Sequence, residues 1–232
     1  MEKKAFEVLH HMERSWWYRG RSRALAQITE KTKKTPKSTL DFGAGWGGMY
    51  EDLSAHGAEV YAYEPDQSAV EACKKRGYTE VFTTEEEALS RTYDCISILD
   101  VLEHIEDDNA FLQKAKKALA PGGYLLISVP AFRFLWSTHD VEHHHFRRYE
   151  LPVLTKRLEE AGYDVLAITY WNTLMFVPAA LLRLLGKTGQ GSLSLPKPFD
   201  ALFYAVVWCE SLLLRWVRLP FGTGLIAIAE KV

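Results

Sequence analysis

The sequence predicts a doubly wound α/β fold built on a mainly parallel sheet. Between residues 38 and 170, short apolar runs alternate with helical patterns. Repeated units of this size need crossover connections, which place helices on both faces of a sheet. The first of these apolar runs passes directly into a glycine-rich turn, as strands of such sheets often do. The 232 residues are 47% hydrophobic and 25% charged, which indicates one globular domain and excludes disordered, collagen-like and disulfide-scaffold classes.

The period of the apolar residues assigns the elements of the core in chain order. The predicted strands cover residues 38–42, 59–63, 93–99, 123–129 and 163–170. Between them, predicted helices begin near residues 49 and 68 and cover residues 110–120 and 151–161. An α/β core is therefore expected over residues 38–170.

Two segments depart from this alternation. Residues 1–37 carry apolar side chains at helical spacing and end in a lysine-rich polar run, which predicts one or two N-terminal helices. Residues 171–221 are strongly apolar on both sides of a stretch rich in Gly, Ser, Lys and Pro at 186–198, which predicts a hydrophobic helical insertion. Residues 222–232 predict a last strand, centred on 223–229, that returns to the core sheet.

The charge and the cysteine content limit which cellular compartment and which binding partners are expected. The chain has 28 Lys+Arg and 30 Asp+Glu, a net charge of −2, which argues against nucleic acid as the main partner. Its three cysteines lack metal-ligand spacing and suit a reducing compartment. No apolar stretch follows the opening residues, so no signal peptide is expected. These features predict a cytoplasmic protein.

The glycine-rich turn after the first strand indicates a nucleoside-binding site. Its glycines permit positive φ and a close ligand approach, but their spacing fits a dinucleotide and other nucleosides equally well. Asp41, just before Gly43 and Gly45, would repel a pyrophosphate and attract a cation. Glu64, at the end of the second strand, is placed to accept hydrogen bonds from a ribose. S-adenosylmethionine has the ribose and the cationic groups without the phosphates. One alternative is that the glycines only form a tight strand–helix turn with Asp41 as a cap. The alternative functions are an NAD-dependent oxidoreductase and a non-catalytic cofactor-binding scaffold.

Four motifs together resemble class I S-adenosylmethionine-dependent methyltransferases, and the branch with quinone-ring and small-molecule O-methyltransferases in particular. They are Asp41-x-Gly43-x-Gly45-x-Gly47, the acidic Glu64 after residues 60–63, the run 93–105, and Pro121-Gly122-Gly123 before a strand. The resemblance implies a Rossmann-like, seven-stranded sheet whose last strand is antiparallel. It also implies that the cofactor lies across the carboxyl ends of the strands.

The resemblance also assigns the cofactor residues. Within the core these are Asp41, Gly43, Gly45, Glu64, Pro65, Asp100, Val101 and Leu102. The aromatic stretch at residues 15–21 resembles the N-terminal lid of the family, in which Tyr18 and Arg21 close over the cofactor and Arg21 meets its carboxylate. The alternative for this stretch is an aromatic stripe that packs against the sheet.

Two histidine-containing segments are candidates for the methyl acceptor. In the family, the segment that ends the fourth strand borders the acceptor, so His104 is predicted to be the general base. The alternative is that Glu103 and His104 cap the next helix. Residues 137–149 hold four histidines and resemble the substrate-facing loop, with Asp140, His145, Arg148 and Tyr149 serving the acceptor. A divalent metal on Asp140, Glu142 and two histidines, or a solvated loop, are the alternatives, and no metal is assigned.

The apolar insertion suggests the nature of the acceptor. An apolar helix pair must be covered by the sheet, a second subunit or lipid. Because residues 171–221 are expected near the active-site edge, the sequence favours a hydrophobic acceptor, with peripheral membrane contact or a homodimer through this insertion as further expectations. The predicted activity is methyl transfer to a hydroxyl of a hydrophobic small molecule or a lipid-like, quinone-type acceptor.

Overall fold

The computed structural model describes residues 15–55, 57–185 and 197–232. Its sheet has seven strands in the order β3-β2-β1-β4-β5-β7-β6. All neighbours pair in parallel except β7, which is antiparallel to both β5 and β6. The predicted doubly wound, seven-stranded fold with an antiparallel last strand is confirmed. The strands are β1 (Ser38–Phe42), β2 (Glu59–Tyr63), β3 (Val81–Phe82), β4 (Tyr93–Leu99), β5 (Leu119–Pro130), β6 (Tyr163–Trp171) and β7 (Gly224–Lys231).

Helices connect the strands, and side-chain caps fix where several of them start. The Ser15 hydroxyl accepts a hydrogen bond from the Tyr18 amide at the start of α1, and Asp107 accepts one from the Ala110 amide at the start of α5. The α-helices are α1 (Trp16–Thr32), α2 (Tyr50–Ser54), α3 (Gln67–Arg76), α4 (Glu85–Ala88), α5 (Asp108–Lys117), α6 (Thr138–Glu142), α7 (Leu151–Glu160), α8 (Thr173–Leu184) and α9 (Lys197–Leu213). Short 3-10 turns cover Leu102–His104 and Arg133–Leu135.

The sheet is buried on both faces, which explains its nearly continuous apolar strands. One face packs around Leu40, Ile96 and Phe111. The other packs around Trp16 and Ile28 of α1. α1 also packs along α9 and against β6 and β7, so the N-terminal helix and the second helix of the apolar segment lie on the same side of the molecule.

Some boundaries differ from the sequence predictions. β5 begins at Leu119, before the Pro-Gly-Gly motif. α1 continues to Thr32, into the lysine-rich polar run that was expected to follow the N-terminal helices. α1 ends where Lys33 adopts a left-handed conformation with φ 55°. β3 has only two residues, too few for a period-2 pattern to identify. Residues 1–14 and 186–196 lie outside the described residues, so the predictions made there, like the proposed domain division, stay predictions.

Candidate active site

A cavity of about 470 Å³ lies at the carboxyl ends of β1, β4 and β5. This is the edge at which open α/β sheets bind ligands. The glycine turn after β1 and the histidine-rich segment after β5 both line the cavity. Among the predicted residues, those that line it are Tyr18, Arg21, Asp41, Gly43, Gly45, Asp100, His104, His145 and Arg148.

The glycine turn is held tightly against the end of β2. Gly43 has φ +78°, and a Cβ there would come within 2.5 Å of the Val101 side chain, so any larger residue would displace the turn. Gly45 has φ +55° and open space beside it, which leaves its backbone approachable by a ligand. Its amide donates to Glu64 Oε2 at 2.7 Å, while the Asp66 amide donates to Glu64 Oε1 at 2.8 Å. Glu64 therefore fixes the turn and, although burial raises its pKa, keeps an acceptor oxygen next to it.

Asp41 lies beneath the turn as a buried acceptor. Ser97 Oγ donates to its Oδ1 at 2.6 Å, and the Tyr78 hydroxyl donates to its Oδ2 at 2.7 Å. Burial raises the pKa of Asp41, although both hydrogen bonds and the charge of Arg21 work in the opposite direction. Its side chain is 3% exposed and borders the cavity, so it can present a partial negative charge to a cationic group there.

The N-terminal aromatic stretch both packs against the rest of the protein and lines the cavity, while its predicted closure over the cofactor stays a prediction. Trp16 is buried and packs on Phe203, with ring centroids 5.5 Å apart. Tyr18 and Arg21 face the cavity, and the Arg21 guanidinium lies 4.6 Å from the centroid of the Tyr18 ring. Packing and cavity-lining roles therefore belong to different residues of the same helix turn.

Arg21 also forms an ion pair with Asp100. Asp100 has φ 57°, a conformation that aspartate tolerates better than most residues, and its Oδ1 accepts a hydrogen bond from Ser128 at 3.0 Å. Arg21 is 3% exposed, and its Nε has no hydrogen-bond partner. A buried donor without a partner at the edge of a cavity is suited to an anionic group such as the carboxylate of an amino acid.

The acceptor side of the cavity carries an array of imidazoles. The His104 and His145 rings are nearly perpendicular with centroids 4.5 Å apart, and the His139 and His143 rings lie 4.0 Å apart. Burial, and then the neighbouring histidines, lower the pKa of both His104 and His139. His104 is therefore neutral at neutral pH and able to accept a proton.

Asp140 organises this array from below, and its predicted direct role with the acceptor is corrected. It is fully buried and accepts from Ser137, from His145 Nδ1 at 3.0 Å and from Arg148 Nε at 2.7 Å. Burial alone would raise its pKa, but the hydrogen bonds from His145 and Arg148 hold that pKa well below its usual range. Asp140 thus stays ionised and does not reach the cavity. It positions His145 and Arg148, which do.

Five further predicted residues do not line the cavity, and one of them is Glu64, which lies behind the Gly45 backbone that does. Tyr149 is 1% exposed and donates its hydroxyl to Asp108 at 2.9 Å, so it holds the core together instead of contacting an acceptor ring. Leu102 is fully buried in the same core, and Val101 packs against Gly43 instead of lining the cavity. Pro65 is exposed beyond the end of β2. Their sequence motifs are local, whereas the direction of each side chain is set by tertiary packing.

One group of candidate metal ligands differs from the set considered in the sequence. Asp140 is saturated by hydrogen bonds, so it is a poor ligand. Glu103, His104 and His145 instead have ligand atoms that all lie within 4.8 Å of one another. These three could hold a divalent cation of the kind that binds imidazole and carboxylate.

Glu103 is a site residue whose role the sequence did not assign. It is 1% exposed, its Oε2 has no hydrogen-bond partner, and it borders the cavity beside Asp100. Burial and then the charge of Asp100 raise its pKa well above the ordinary 4.5. Asp107, and not Glu103 or His104, provides the cap of α5. Other lining residues outside the predicted set are Trp17, Met49, His139, His143, Trp171 and Arg183.

The raised pKa of Glu103 predicts that this residue costs stability as the pH rises. The unfolded chain releases the proton near pH 4.5, whereas the folded chain retains it, so the stability from the protonated form is lost above that pH. Glu103→Gln cannot ionise, so its melting temperature relative to the wild type should rise steadily from pH 5 to pH 8. Calorimetric melting at four pH values measures this.

The control for that experiment is Glu106→Gln, at an exposed position of the same loop. Its melting temperature should follow that of the wild type at every pH. A Glu103→Gln difference that is equally flat would show that the Glu103 carboxyl is not held protonated.

The fold and the site together define an S-adenosylmethionine-dependent methyltransferase of class I. The seven-stranded sheet with its antiparallel β7, the glycine turn above a buried acid, and the acid at the end of β2 are the features of this class that the sequence resemblance implied. Comparison with known families agrees, because residues 8–168 match a family described as a methyltransferase domain. The chain belongs to that family, and S-adenosylmethionine is its cofactor. The NAD-dependent oxidoreductase alternative is thereby set aside.

Individual relatives are more distant. The chain is similar to ubiquinone biosynthesis O-methyltransferases from a Bradyrhizobium strain (31% identity over 38% of each chain) and from Schizosaccharomyces pombe (29% identity over 53% of this chain and 54% of the relative). It thus spans about half or less of the length of these relatives. Among solved structures it is similar to the N-methyltransferase NodS from Bradyrhizobium japonicum, with a TM-score of 0.56 and 15% identity over 92% of this chain and 86% of NodS.

Proposed function

We propose that the protein transfers a methyl group from S-adenosylmethionine to a hydroxyl of a hydrophobic, quinone-type small molecule. The observation that carries this proposal is that one cavity is lined both by the glycine turn and by His104, His145 and Arg148. A cofactor held at the turn and an acceptor held by the imidazoles would share this single cavity. The ubiquinone O-methyltransferase relatives support the oxygen acceptor and the ring class.

The residues around the turn fit the cofactor. Glu64 provides a carboxylate next to the open Gly45 backbone for the ribose hydroxyls, and Asp41 provides a negative environment for an ammonium or sulfonium. The unpartnered Nε of Arg21 is suited to the methionine carboxylate. When bound, S-adenosylmethionine supplies an electrophilic methyl group on a positively charged sulfur.

The residues across the cavity fit a hydroxyl acceptor. His104, neutral because its pKa is lowered, takes the proton from the acceptor oxygen as that oxygen attacks the methyl carbon. Arg148, fixed by Asp140 and the Ala131 carbonyl, lines the cavity and has two N–H groups left to hold the acceptor oxygen or a neighbouring ring oxygen. Charge is neutralised as the carbon–oxygen bond forms and the carbon–sulfur bond breaks, so alignment and exclusion of water matter more than a strong base.

The apolar part of the wall favours an acceptor with a hydrocarbon portion, since Trp17, Met49, Leu99, Val129 and Trp171 line the cavity. A separate aromatic group lies outside this lining. Phe132 stacks on Tyr170, and it also contacts Phe134 and Phe176 at ring-centroid distances of 5.6 and 5.3 Å. This aromatic group lies between β5 and α8, next to the cavity residues Pro130 and Arg183.

A transfer assay with tritiated S-adenosylmethionine tests the proposal. A catechol with an apolar side chain should be methylated with a KM at least tenfold lower than that of unsubstituted catechol, and a primary amine with the same chain should not be methylated. Calorimetry run in parallel should show binding of S-adenosylmethionine and none of NAD. Cofactor binding without transfer to either catechol would contradict the acceptor class and favour the non-catalytic scaffold.

A further inference from the structure

The first helix of the apolar segment, α8, is left without a protein partner along its outer side. Arg183 is its single charged residue, and not one of its twelve residues is buried by the described part of the chain. Val177 is 61% exposed and Leu181 is 56% exposed. A soluble surface helix normally presents polar residues to water, so exposed aliphatic side chains in this number indicate a contact surface.

The exposed surface continues beyond α8. Thr173 Oγ1 donates to the backbone carbonyl of Phe221 at 2.8 Å, and the rings of Phe176 and Phe221 are 5.1 Å apart. The turn that follows α9 and leads to Phe221 exposes Trp216 by 84% and Val217 by 47%. We call α8 together with residues 216–221 the apolar surface. Tryptophan is enriched where proteins meet the membrane–water boundary, because its ring is both apolar and polar.

The charges that the segment 172–223 itself exposes at the apolar surface are cationic, and Arg215, beside Trp216, is paired with Glu30 of α1. The described part of residues 172–223 holds two acidic side chains, and both point inward. Glu210 accepts from the Asn172 and Thr173 amides at the start of α8, and Asp200 accepts from the Trp16 amide. Arg218, by contrast, is exposed beside Trp216 and Val217, and Arg133 is exposed next to Phe134. The outer surface is therefore apolar and cationic.

This charge pattern distinguishes between two partners that an exposed apolar surface can bind, a second copy of the chain and a lipid layer. A symmetric dimer through the apolar surface would bring Arg133 and Arg218 of one copy near those of the other, and the nearby Glu30 is already paired with Arg215. An anionic lipid layer meets the arginines with phosphates and the aliphatic residues with acyl chains. In the described residues, no helix is long and apolar enough to cross a bilayer. The described helices would therefore contact a membrane by lying in the plane of the lipid–water interface.

We propose that the apolar surface docks the protein on the face of an anionic lipid bilayer. α8 and Trp216 lie among the upper acyl chains, and the arginines lie at the head-group phosphates. α8 also contributes Arg183 to the cavity wall, so docking brings the cavity towards the lipid. The docking itself does not depend on the methyl-transfer proposal, since it uses neither the glycine turn nor the histidines.

Co-sedimentation with vesicles tests the docking without cofactor or acceptor. Vesicles of phosphatidylcholine and phosphatidylglycerol in equal amounts should carry most of the protein into the pellet at low salt, and pure phosphatidylcholine at least tenfold less. The double variant Val177→Glu/Trp216→Glu should lose binding to the mixed vesicles by at least tenfold. Arg218→Glu should lose several-fold, and more at low salt than at high salt.

The matched control is Val153→Glu, which places the same charge at an exposed valine of α7. It should bind vesicles like the wild type, and circular dichroism should show that all variants are folded. Wild-type protein that stays in the supernatant with mixed vesicles would overturn the proposal. So would a concentration-dependent dimer that light scattering detects and that Val177→Glu/Trp216→Glu abolishes, because the surface would then belong to a second copy of the chain.

Discussion

Glu64→Ala is expected to weaken S-adenosylmethionine binding by at least a hundredfold. The carboxylate is the acceptor that the turn presents next to the open Gly45 backbone, and it also ties the Gly45 amide to β2. Hydrogen bonds to a charged acceptor contribute about 1.5–3 kcal/mol each. Loss of two bonds to ribose hydroxyls corresponds to a hundredfold or more, before any loosening of the turn is added. Titration calorimetry of S-adenosylmethionine measures the change.

The control lies on the same strand. Glu59→Ala removes a carboxylate at the opposite end of β2, where its partner is the exposed Tyr61 hydroxyl, and cofactor affinity should stay within twofold of the wild type. A melting curve separates loss of the site from loss of the fold. If folded Glu64→Ala bound the cofactor like the wild type, Glu64 would be a structural anchor of the turn only, and the ribose would have to be held by other groups.

The cofactor half of the site was predictable because it is encoded locally. Asp41, the glycines and Glu64 all stand within a few residues of the end of a strand, and in a parallel sheet all such ends meet at one edge. The alternation of apolar runs was enough to find those ends. The two-residue β3 left no such signal, and it was expected only because the motifs resemble a family with seven strands.

The acceptor side of the cavity was harder to predict, because the type of a polar residue does not reveal whether its side chain points into the cavity or into the core. Asp140 and Tyr149 stand in a polar, histidine-rich run, but one anchors a buried ion-pair network and the other binds Asp108 in the core. Glu103 faces the cavity from a 3-10 turn of three residues, which is too short to give a periodic pattern in the sequence. Arg183 reaches the wall from α8, more than thirty residues further along the chain, through contacts that only the tertiary fold defines.

His104→Gln is expected to lower kcat by about a hundredfold or more, since a well-placed general base contributes about 10²–10⁴-fold. The affinity for S-adenosylmethionine should be nearly unchanged, because His104 is assigned to the acceptor and not to the cofactor. Burial and His145 lower the pKa of His104 below its ordinary 6.5, so the wild-type kcat should be level at neutral pH and fall only as the pH drops through that lowered pKa. In His104→Gln, that acidic limb should disappear. Single-turnover rates between pH 5 and pH 8 measure both effects.

The neighbouring histidines decide how the result is interpreted. His144 is exposed, does not line the cavity and has φ 56°, so His144→Asn is a control that keeps the local backbone and should retain full turnover. His145→Gln should raise KM more than it lowers kcat if His145, held by Asp140, positions the acceptor. If His104→Gln kept its turnover while His145→Gln lost the acidic limb of the pH profile, the Asp140–His145 pair would be the base. A loss of cofactor binding in His104→Gln would instead make His104 a structural residue of the cavity wall.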